Sequence, residues 1–380
     1  MTKWKIPLYK IFTDNDDVHS ITKVLKRGMD WAIGPEISQF EKLLSTYVGS
    51  KYCVAFNSGT SALHAALIAS KISRGEQALL PSFTFIATAN SPLMVNAIPK
   101  FVDIEKENLG LDPNILENKI SKKTKVIIPV HYAGLPCKIE EISNIANKKN
   151  LVLIEDAAES LGAHINKKMT GTFGEMGIFS FAGNKVLTTG EGGTVVTNSK
   201  LYFERLKLIR SHGRSEKQNY FSSIENPNYI SLGYNWRMSS ITAALAISQL
   251  KKLDKLIKLR RTNAHFLSSK LRKFSEISVP NEPIGHHHVF QLYSILLKTS
   301  KLRNDLKEFL TKKQIMTKIF FQPIHQTNFY KKQIIKKKLD LENTQFISSR
   351  ILTLPMFPGL NKNELNYICD SIAEFIEKNQ

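Results

Sequence analysis

Apolar positions in the first half of the chain alternate between helical spacing and short continuous runs. Residues 16–27 and 37–44 place apolar side chains on one helical face, so both segments are predicted helices. Short apolar runs follow, separated by helical segments at 57–67, 86–95 and 138–149, and they cover residues 52–56, 77–80, 99–102, 126–130 and 151–154. Such runs between turn residues are typical of buried strands. The alternation predicts an α/β fold with a mostly parallel central sheet and helices on both faces.

The pattern changes in the second half of the chain. A strand leads towards Lys185, another covers residues 193–197, and a polar loop ending near residue 230 follows a predicted helix over 199–212. Residues 239–274 then keep helical spacing over a long stretch. Strand-like and helical segments mix afterwards, with strands at 288–297 and 315–321 and helices at 301–313 and 363–378.

Three parts are therefore predicted. Residues 1–240 form a large α/β domain with an N-terminal helical leader. Residues 241–276 form a linker helix, and residues 277–380 form a small α+β domain. A chain of 380 residues is long enough for two domains.

Composition places the chain among ordinary globular proteins. Hydrophobic residues make up 42% and charged residues 23%, and no apolar run is long enough for a membrane span. The N-terminus lacks the apolar segment of a signal peptide. Three widely separated cysteines form neither a disulfide framework nor a metal motif, so we expect a cytoplasmic protein.

The net charge of +20 raises the question of nucleic-acid binding. The lysines, however, lie in short scattered groups, and no zinc-finger or RNA-recognition motif accompanies them. We interpret them as a solvated surface that helps to attract a phosphorylated substrate, and expect neither a nucleic acid nor a membrane as partner. The histidine run 286–288 alternates between strand faces, so no metal site is expected there.

A candidate phosphate site follows the first predicted strand. Residues 57–67 read NSGTSALHAAL, which is a turn that opens a helix. Free N–H groups and the helix dipole favour an anion at such a terminus, Gly59 permits its close approach, and Ser58, Thr60 and Ser61 offer hydroxyls. A plain helix N-cap explains the same residues, and no dinucleotide or NTP-binding glycine pattern is present.

Two acids, Glu155 and Asp156, directly follow the predicted strand at 151–154. Ligands of parallel sheets bind beyond the carboxyl ends of the strands, so an acid here is either a site residue or the cap of the next helix. As neighbours, the two side chains point in different directions and are expected to differ in role.

Lys185 is the candidate nucleophile. It lies between a strand-like segment and a glycine-rich turn, in the stretch FSFAGNKVLTTGEGG over residues 179–193. Its apolar and glycine neighbours predict partial desolvation, which makes a lysine amine a better nucleophile towards carbonyl groups. An ordinary loop lysine is the alternative on local sequence alone.

Together these features match the needs of one cofactor. Pyridoxal 5′-phosphate (PLP) requires a phosphate anchor, an aromatic ring stacker, a carboxylate for its pyridine nitrogen, and a lysine that bonds to its aldehyde. The chain supplies candidates for all four, including an aromatic turn, PSFTF, at residues 81–85.

The sequence resembles the DegT/StrS-type (DegT/DnrJ) sugar aminotransferases of PLP fold type I. The resemblance covers nearly the whole chain, and its motifs are WAIGPE at 31–36, NSGTSAL at 57–63, PSFTF at 81–85, EDAAESLG at 155–162, FSFAGNK at 179–185, TTGEGG at 188–193, GYNWRM at 233–238 and LPMFPG at 354–359. Within the family, it is similar to perosamine synthase-like enzymes that aminate 4-keto-6-deoxy nucleotide sugars.

The resemblance implies a role for each motif residue. Lys185 would bond to PLP and move the proton, Asp156 would pair with the pyridine nitrogen, and Glu159 would lie beside the cofactor ring. Phe85 would stack on the ring. The implied phosphate ligands are Gly59, Thr60, Ser180 and, from the partner subunit of an obligate homodimer, Asn235.

The resemblance also implies the reaction, in which an amino group passes from a donor such as L-glutamate to a keto-deoxysugar nucleotide for polysaccharide or glycan synthesis. A PLP-dependent sugar dehydratase and a non-catalytic or regulatory protein of the same fold remain alternatives. Lys185 argues against the branch of the family in which histidine replaces this lysine. The nucleotide, the sugar, the donor and the choice between C3 and C4 stay open.

Overall fold

The computed structural model describes residues 4–215, 224, 226–335 and 339–379. The α-helices are α1 (Asn15–Arg27), α2 (Pro35–Val48), α3 (Gly59–Ala69), α4 (Ile86–Met94), α5 (Pro113–Lys119), α6 (Ile139–Lys148), α7 (Lys200–Arg210), α8 (Ser240–Lys251), α9 (Leu253–Leu271), α10 (Ser300–Lys312), α11 (Glu342–Arg350) and α12 (Lys362–Glu377). The strands are β1 (Tyr52–Phe56), β2 (Gln77–Pro81), β3 (Ile98–Val102), β4 (Thr124–Ile127), β5 (Val152–Asp156), β6 (His164–Ile165), β7 (Lys168–Met169), β8 (Met176–Ser180), β9 (Gly193–Thr197), β10 (Ile277–Ser278), β11 (His286–His287), β12 (Tyr293–Leu297) and β13 (Ile351–Leu354). No described helix is long and apolar enough to cross a membrane.

The central sheet has seven strands in the order β1-β9-β8-β5-β4-β2-β3. Strands β3, β2, β4, β5 and β8 pair in parallel, whereas β9 runs antiparallel to both of its neighbours. The predicted mostly parallel α/β sheet is therefore confirmed. Because β8 and β9 are antiparallel neighbours, the loop between them, which carries Lys185, returns at the carboxyl edge of the sheet.

Small side chains bring α3 close to the sheet. Its buried face is rich in alanine, including Ala62, Ala65 and Ala66, none of which is exposed to solvent. These alanines join Val54 and Ile178 from the strands in one hydrophobic core. A helix that packs this closely has its N-terminus fixed against the strand ends.

The predicted leader consists of α1 and α2, both of which pack on α8. Asp14 caps α1 in a capping box with Asp17, and Gly28 ends the helix in the left-handed conformation. Lys252 forms ion pairs with Asp14 and Asp17, and these tie the leader to the end of α8.

A second, antiparallel sheet lies in the C-terminal part of the chain, in the order β10-β12-β13. It packs with α10 and α12 around a separate hydrophobic core that includes Ile295, Leu310 and Ile372. A small third sheet, β11-β6-β7, joins this part to the hairpin at residues 164–169. The proposed domain boundaries at residues 240 and 276 stay a prediction.

Several predicted elements differ from the structure. The helical stretch 239–274 is two helices, because the backbone leaves helical geometry at Lys252. The strand predicted over 288–297 begins only at Tyr293, since the backbone N–H groups of Val289 and Leu292 bond instead to carbonyls of Gly134 and Ala133.

The segment 315–321 is likewise not a strand. It makes only isolated bridges, Ile6 with Ile315 and Lys318 with Thr353. Its alternating apolar side chains do not share one face of a sheet but pack into two separate hydrophobic clusters. Ile315 packs into the C-terminal core, whereas Phe321 lies against Phe83 and Tyr132. The pattern did not predict α5 or the hairpin of β6 and β7.

Candidate active site

A cavity of about 560 Å³ opens where strands of the central sheet end. It gathers every residue to which the family resemblance assigns a role except Asn235, namely Gly59, Thr60, Phe85, Asp156, Glu159, Ser180 and Lys185. Such a crevice at the carboxyl ends of parallel strands is the usual place for a ligand in this class of fold.

The lining has two sides, which we name by their origin. The sheet wall comes from strand ends and the turns after them and comprises Gly59, Thr60, Asp156, Ser180 and Lys185. The C-terminal wall comprises Gln291, Met316, Lys318, Phe321 and Thr353. Sequence motifs identified the sheet wall but none of these five residues of the C-terminal wall. The LPMFPG motif contains two further lining residues, Leu354 and Met356.

The turn before α3 is a helix N-cap, and its role as a phosphate site stays a prediction. Ser58 is the helix N-cap, since its Oγ accepts a hydrogen bond of 3.1 Å from the backbone N–H of Ser61. The Ser61 hydroxyl donates to Asn57 Oδ1 at 2.7 Å and is thus occupied within the turn, contrary to its predicted use as an anion ligand. Gly59 and Thr60 line the cavity at the positive end of the helix.

Close backbone packing explains the glycines here. A Cβ atom on Gly59 would lie 2.9 Å from the Cβ of Ser180, and one on Gly193 would lie 2.5 Å from the backbone nitrogen of Gly59. Only glycine lets the two strand ends and the helix terminus come this close. The result is a small polar cradle formed by Gly59, Thr60 and Ser180.

Asp156 ends β5, and its carboxylate is held from two sides. Thr88 Oγ1 donates to Oδ2 at 2.7 Å, and the backbone N–H of Ala158 donates to Oδ1 at 3.2 Å. Thr84 Oγ1 lies 2.9 Å from Thr88 Oγ1 and extends the chain of hydroxyls. Burial raises the pKa of the Asp156 carboxyl, and the bond from Thr88 offsets part of this rise. A cation in the cavity would stabilise the ionised form.

Glu155 points away from the cavity, as expected for the neighbour of Asp156. Its fully buried carboxylate accepts hydrogen bonds from the backbone N–H groups of Gly171, Phe173 and Gly174, at 2.6 to 2.8 Å. The Nε2 of His131 lies 2.9 Å from the same carboxylate. Glu155 therefore organises the turn that precedes β8.

Lys185 is largely withdrawn from solvent, as its apolar neighbours predicted. Its side chain is 14% exposed, and its Nζ lies 3.6 Å from Glu159 Oε1. The other oxygen of Glu159 accepts a 2.8 Å hydrogen bond from the backbone N–H of Ala133. Glu159 is thus fixed by the main chain while it faces the lysine amine.

Two predicted site residues are placed less directly. Phe85 is 59% exposed at the edge of the cavity, with its ring centre 6.3 Å from that of Phe321. Asn235 is exposed and lies outside the cavity lining, where its backbone bridges to Ser211. Their implied roles against the ring and the partner's phosphate stay predictions.

Sequence reasoning missed Thr88 and Gln291. Thr88 lies four residues after Thr84 of the PSFTF motif. This spacing at the start of a helix indicates that the two hydroxyls lie side by side, so the sequence could have identified Thr88. Gln291 gave none, because it lies far along the chain among apolar residues.

The residues of the cavity fit PLP. The polar cradle at the start of α3 suits its phosphate, the buried carboxylate of Asp156 suits a protonated pyridine nitrogen, and the Lys185 amine suits its aldehyde. In particular, the cradle leaves space that a Cβ on Gly59 would fill.

Comparison with known proteins agrees with this arrangement. The model of the DegT/DnrJ/EryC1/StrS aminotransferase family matches residues 12–373. GDP-perosamine synthase of Escherichia coli O157:H7 is 34% identical, over 97% of this chain and 98% of that protein. Spore coat polysaccharide biosynthesis protein SpsC of Bacillus subtilis is 30% identical, over 95% of each chain.

A solved structure supports the same assignment. Helicobacter pylori PseC, described as an aminotransferase involved in the biosynthesis of pseudoaminic acid, superposes with a TM-score of 0.92. It is 28% identical and covers 99% of this chain and 100% of its own. The expected fold of the PLP-dependent sugar aminotransferases is thereby confirmed. The chain belongs to the DegT/DnrJ/EryC1/StrS aminotransferase family, whose cofactor is pyridoxal 5′-phosphate.

Proposed function

We propose that the protein transfers an amino group from L-glutamate to a keto group of a nucleotide-linked deoxysugar. The observation that carries the proposal is the cavity itself, in which the Lys185 amine, the Asp156 carboxylate and the polar cradle face one space. The names of the relatives support the substrate class, since one is a GDP-perosamine synthase and another takes part in polysaccharide biosynthesis. The product would serve as a precursor of surface polysaccharide, such as O-antigen, or of another glycan.

The residues of the sheet wall have separate tasks in this proposal. When bound, PLP supplies the aldehyde that takes up the amino group and a ring that accepts electrons from the carbon that loses a proton. Lys185 bonds to the cofactor at rest and moves the proton through Nζ during transfer. Asp156 would keep the pyridine nitrogen protonated, and the hydrogen bond from Thr88 would hold the Asp156 carboxylate in the orientation that this requires.

Other residues bind and orient. Gly59, Thr60 and Ser180 would hold the phosphate and Phe85 would cover the ring, and all four residues line the cavity. Glu159 attracts the lysine ammonium between proton transfers, from 3.6 Å. The cysteines are free and buried, which supports a reducing, cytoplasmic setting.

An assay with purified protein tests the proposal. The protein is incubated with L-glutamate and a panel of keto-deoxysugar nucleotides, and products are identified by mass spectrometry. An amino sugar nucleotide that forms together with 2-oxoglutarate is the expected product, and the Lys185→Arg variant should form none. Loss of water without amination would identify a dehydratase, and no turnover with any pair would favour a binding protein.

We also propose a two-fold dimer in which Asn235 contacts the phosphate bound by the partner subunit. Asn235 is exposed and does not line the cavity of its own chain. Apolar side chains close to it in sequence are exposed as well, with Ile230 at 58% and Leu232 at 82%. Contiguous exposed apolar residues are typical of an interface.

Subunit mixing tests the shared site. Lys185→Ala and Asn235→Asp homodimers should each be nearly inactive, since the added carboxylate repels the phosphate. In a mixed dimer one site carries both changes and the other carries neither, so activity should return to about a quarter of wild type after random exchange. No recovery after verified exchange would show that Asn235 does not serve the partner's site.

A further inference from the structure

Gln291 connects the C-terminal wall to the loop of Lys185. It is only 2% exposed and lines the cavity. Its Nε2 donates a 2.6 Å hydrogen bond to the carbonyl oxygen of Asn184, the residue directly before Lys185. The short loop that carries the amine is thus held by a side chain from a distant part of the chain.

The backbone around Gln291 is itself held by hydrogen bonds from a buried arginine. Arg260 is buried in this region, and its Nη1 donates to the carbonyl oxygens of Phe290 and Gln291 at 3.3 Å and of Met356 at 3.1 Å. A side chain mounted on a backbone held in this way has little freedom to follow movements of the loop. It therefore acts as a fixed support for Asn184.

The same segment also fixes Glu159. The backbone N–H of Leu292 donates to the carbonyl oxygen of Ala133 at 3.2 Å, and the N–H of Ala133 donates to Glu159 Oε2 at 2.8 Å. Neighbouring residues 291 and 292 therefore support both partners of the 3.6 Å contact between Lys185 Nζ and Glu159 Oε1. The separation of amine and carboxylate depends on this segment.

The second polar atom of the Gln291 amide has no hydrogen-bond partner in the part of the chain that the structure describes. The amide orientation is determined by chemistry, because only its NH2 group can donate to the Asn184 carbonyl. Its Oε1 is then buried without a hydrogen bond to any described residue. Buried acceptors are rarely left unpaired, so packing alone does not explain a glutamine at this position.

We propose that Gln291 is a positioning residue for Lys185, which holds the lysine loop through Asn184 and so sets where the amine meets the cofactor aldehyde. The inference rests on the proposed function, in which Lys185 is the reacting amine. A change at Gln291 should slow bond formation at Lys185 without weakening the rest of the cofactor site.

The test compares Gln291→Met with Gln249→Met in the full-length protein. Methionine matches glutamine in length but has no N–H donor. Gln249 is a suitable control because it too is buried, and its Nε2 donates to Phe12 O at 3.1 Å and to Asp17 Oδ2 at 2.8 Å, outside the cavity. Both variants should lose thermal stability to a similar extent. Melting curves therefore show whether a difference in cofactor binding between them goes beyond the shared loss of stability.

Binding of PLP and of pyridoxamine 5′-phosphate distinguishes a misplaced Lys185 from a general loss of cofactor binding. After removal of the cofactor, PLP is added, and the return of its visible absorption measures the rate of bond formation with Lys185. Gln291→Met should slow this rate by roughly tenfold to a hundredfold, the range for a reacting group misplaced by up to about 1 Å, and Gln249→Met should not. Pyridoxamine 5′-phosphate has no aldehyde, so its affinity for Gln291→Met should equal that for wild type.

The outcomes are distinct. A wild-type rate in Gln291→Met, or a parallel loss of affinity for pyridoxamine 5′-phosphate, would overturn the inference. Absence of bond formation at Lys185 in the wild-type protein would overturn the proposed function and the inference with it. If Gln291→Met does not fold, Gln291→Leu decides, since a leucine side chain also cannot donate to the Asn184 carbonyl and should slow the same step.

Discussion

The two walls of the active-site cavity are built in different ways. The sheet wall stands on strand ends whose backbones are paired with their neighbours: Asp156 ends β5, Ser180 ends β8, and Gly59 follows β1. Most of the C-terminal wall stands on irregular segments joined through side chains, and among its five residues only Thr353 lies on a strand, β13. Tyr132, for example, donates through its hydroxyl to the carbonyl oxygen of Phe320 at 2.6 Å.

This difference suggests different tasks: the sheet wall suits the chemistry on the cofactor, and the C-terminal wall suits recognition of the substrate. Backbone pairing leaves the sheet wall little freedom, which suits groups that must meet one cofactor in one geometry. Irregular segments tolerate changes of side chain more easily, which suits recognition of varied sugars and nucleotides. We therefore expect changes in the sheet wall to affect cofactor binding and turnover. Changes at exposed residues of the C-terminal wall, unlike changes at the buried Gln291, should affect affinity for the substrate.

The largest effect is expected for Lys185→Arg. A guanidinium keeps the positive charge near Glu159 but cannot bond to the cofactor or move a proton at neutral pH. Turnover should fall by more than about 10⁴-fold, the upper end for loss of a general acid–base group. Initial rates measure the effect, and Lys307→Arg is the matched control because Lys307 is an exposed lysine on α10, outside the cavity. Substantial residual turnover would remove Lys185 from the reaction.

Asp156→Asn should have the next largest effect. The amide oxygen can still accept from Thr88, so the fold should persist, but the negative charge opposite the pyridine nitrogen is lost. Turnover should fall by about 10² to 10³-fold, as when one electrostatic group of a site is removed. Near-normal rates would instead mean that Asp156 only caps the following turn, since asparagine caps about as well as aspartate.

A smaller effect on cofactor binding is expected for Gly59→Ala. The added methyl would lie 2.9 Å from Ser180 Cβ, so the cradle must open. Overpacking of this kind costs about 1–3 kcal/mol, part of which should appear as weaker PLP affinity in an equilibrium titration. Gly359→Ala is the control, because nothing lies within 4 Å of its added methyl. Equal PLP affinity in both variants would rule out the cradle as the phosphate site.

The smallest effect is expected for Lys318→Ala in the C-terminal wall. Lys318 is exposed at the cavity and can attract the anionic part of a sugar nucleotide. Exposed ion pairs contribute about 0.2–1 kcal/mol, so KM should rise by about fivefold or less, at unchanged kcat, and the rise should shrink with added salt. Lys307→Ala loses the same charge away from the cavity and should leave KM unchanged. A lower kcat for Lys318→Ala would contradict the division of tasks between the two walls.

The sequence predicted the sheet wall well for a physical reason. Its residues lie in contiguous motifs directly after strands, where local pattern and three-dimensional position coincide. The order of helices and strands up to β9 followed from the same periodicity, apart from α5 and the hairpin of β6 and β7.

The C-terminal wall was not predictable in this way. Residues 315–321 alternate like a strand, but their apolar side chains are divided between two different cores. Gln291 meets Asn184 across more than 100 residues of sequence, and neither residue has a local pattern that points to the other. Such contacts depend on how separate elements pack, which periodicity does not encode.

Borohydride reduction of the wild-type protein, followed by peptide mapping, shows directly which lysine bonds to the cofactor. Reduction makes the bond between cofactor and lysine permanent, so mass spectrometry can locate it. We expect a pyridoxyl group on Lys185, in the peptide that follows β8. A pyridoxyl group on another lysine, or none in protein loaded with PLP, would contradict it.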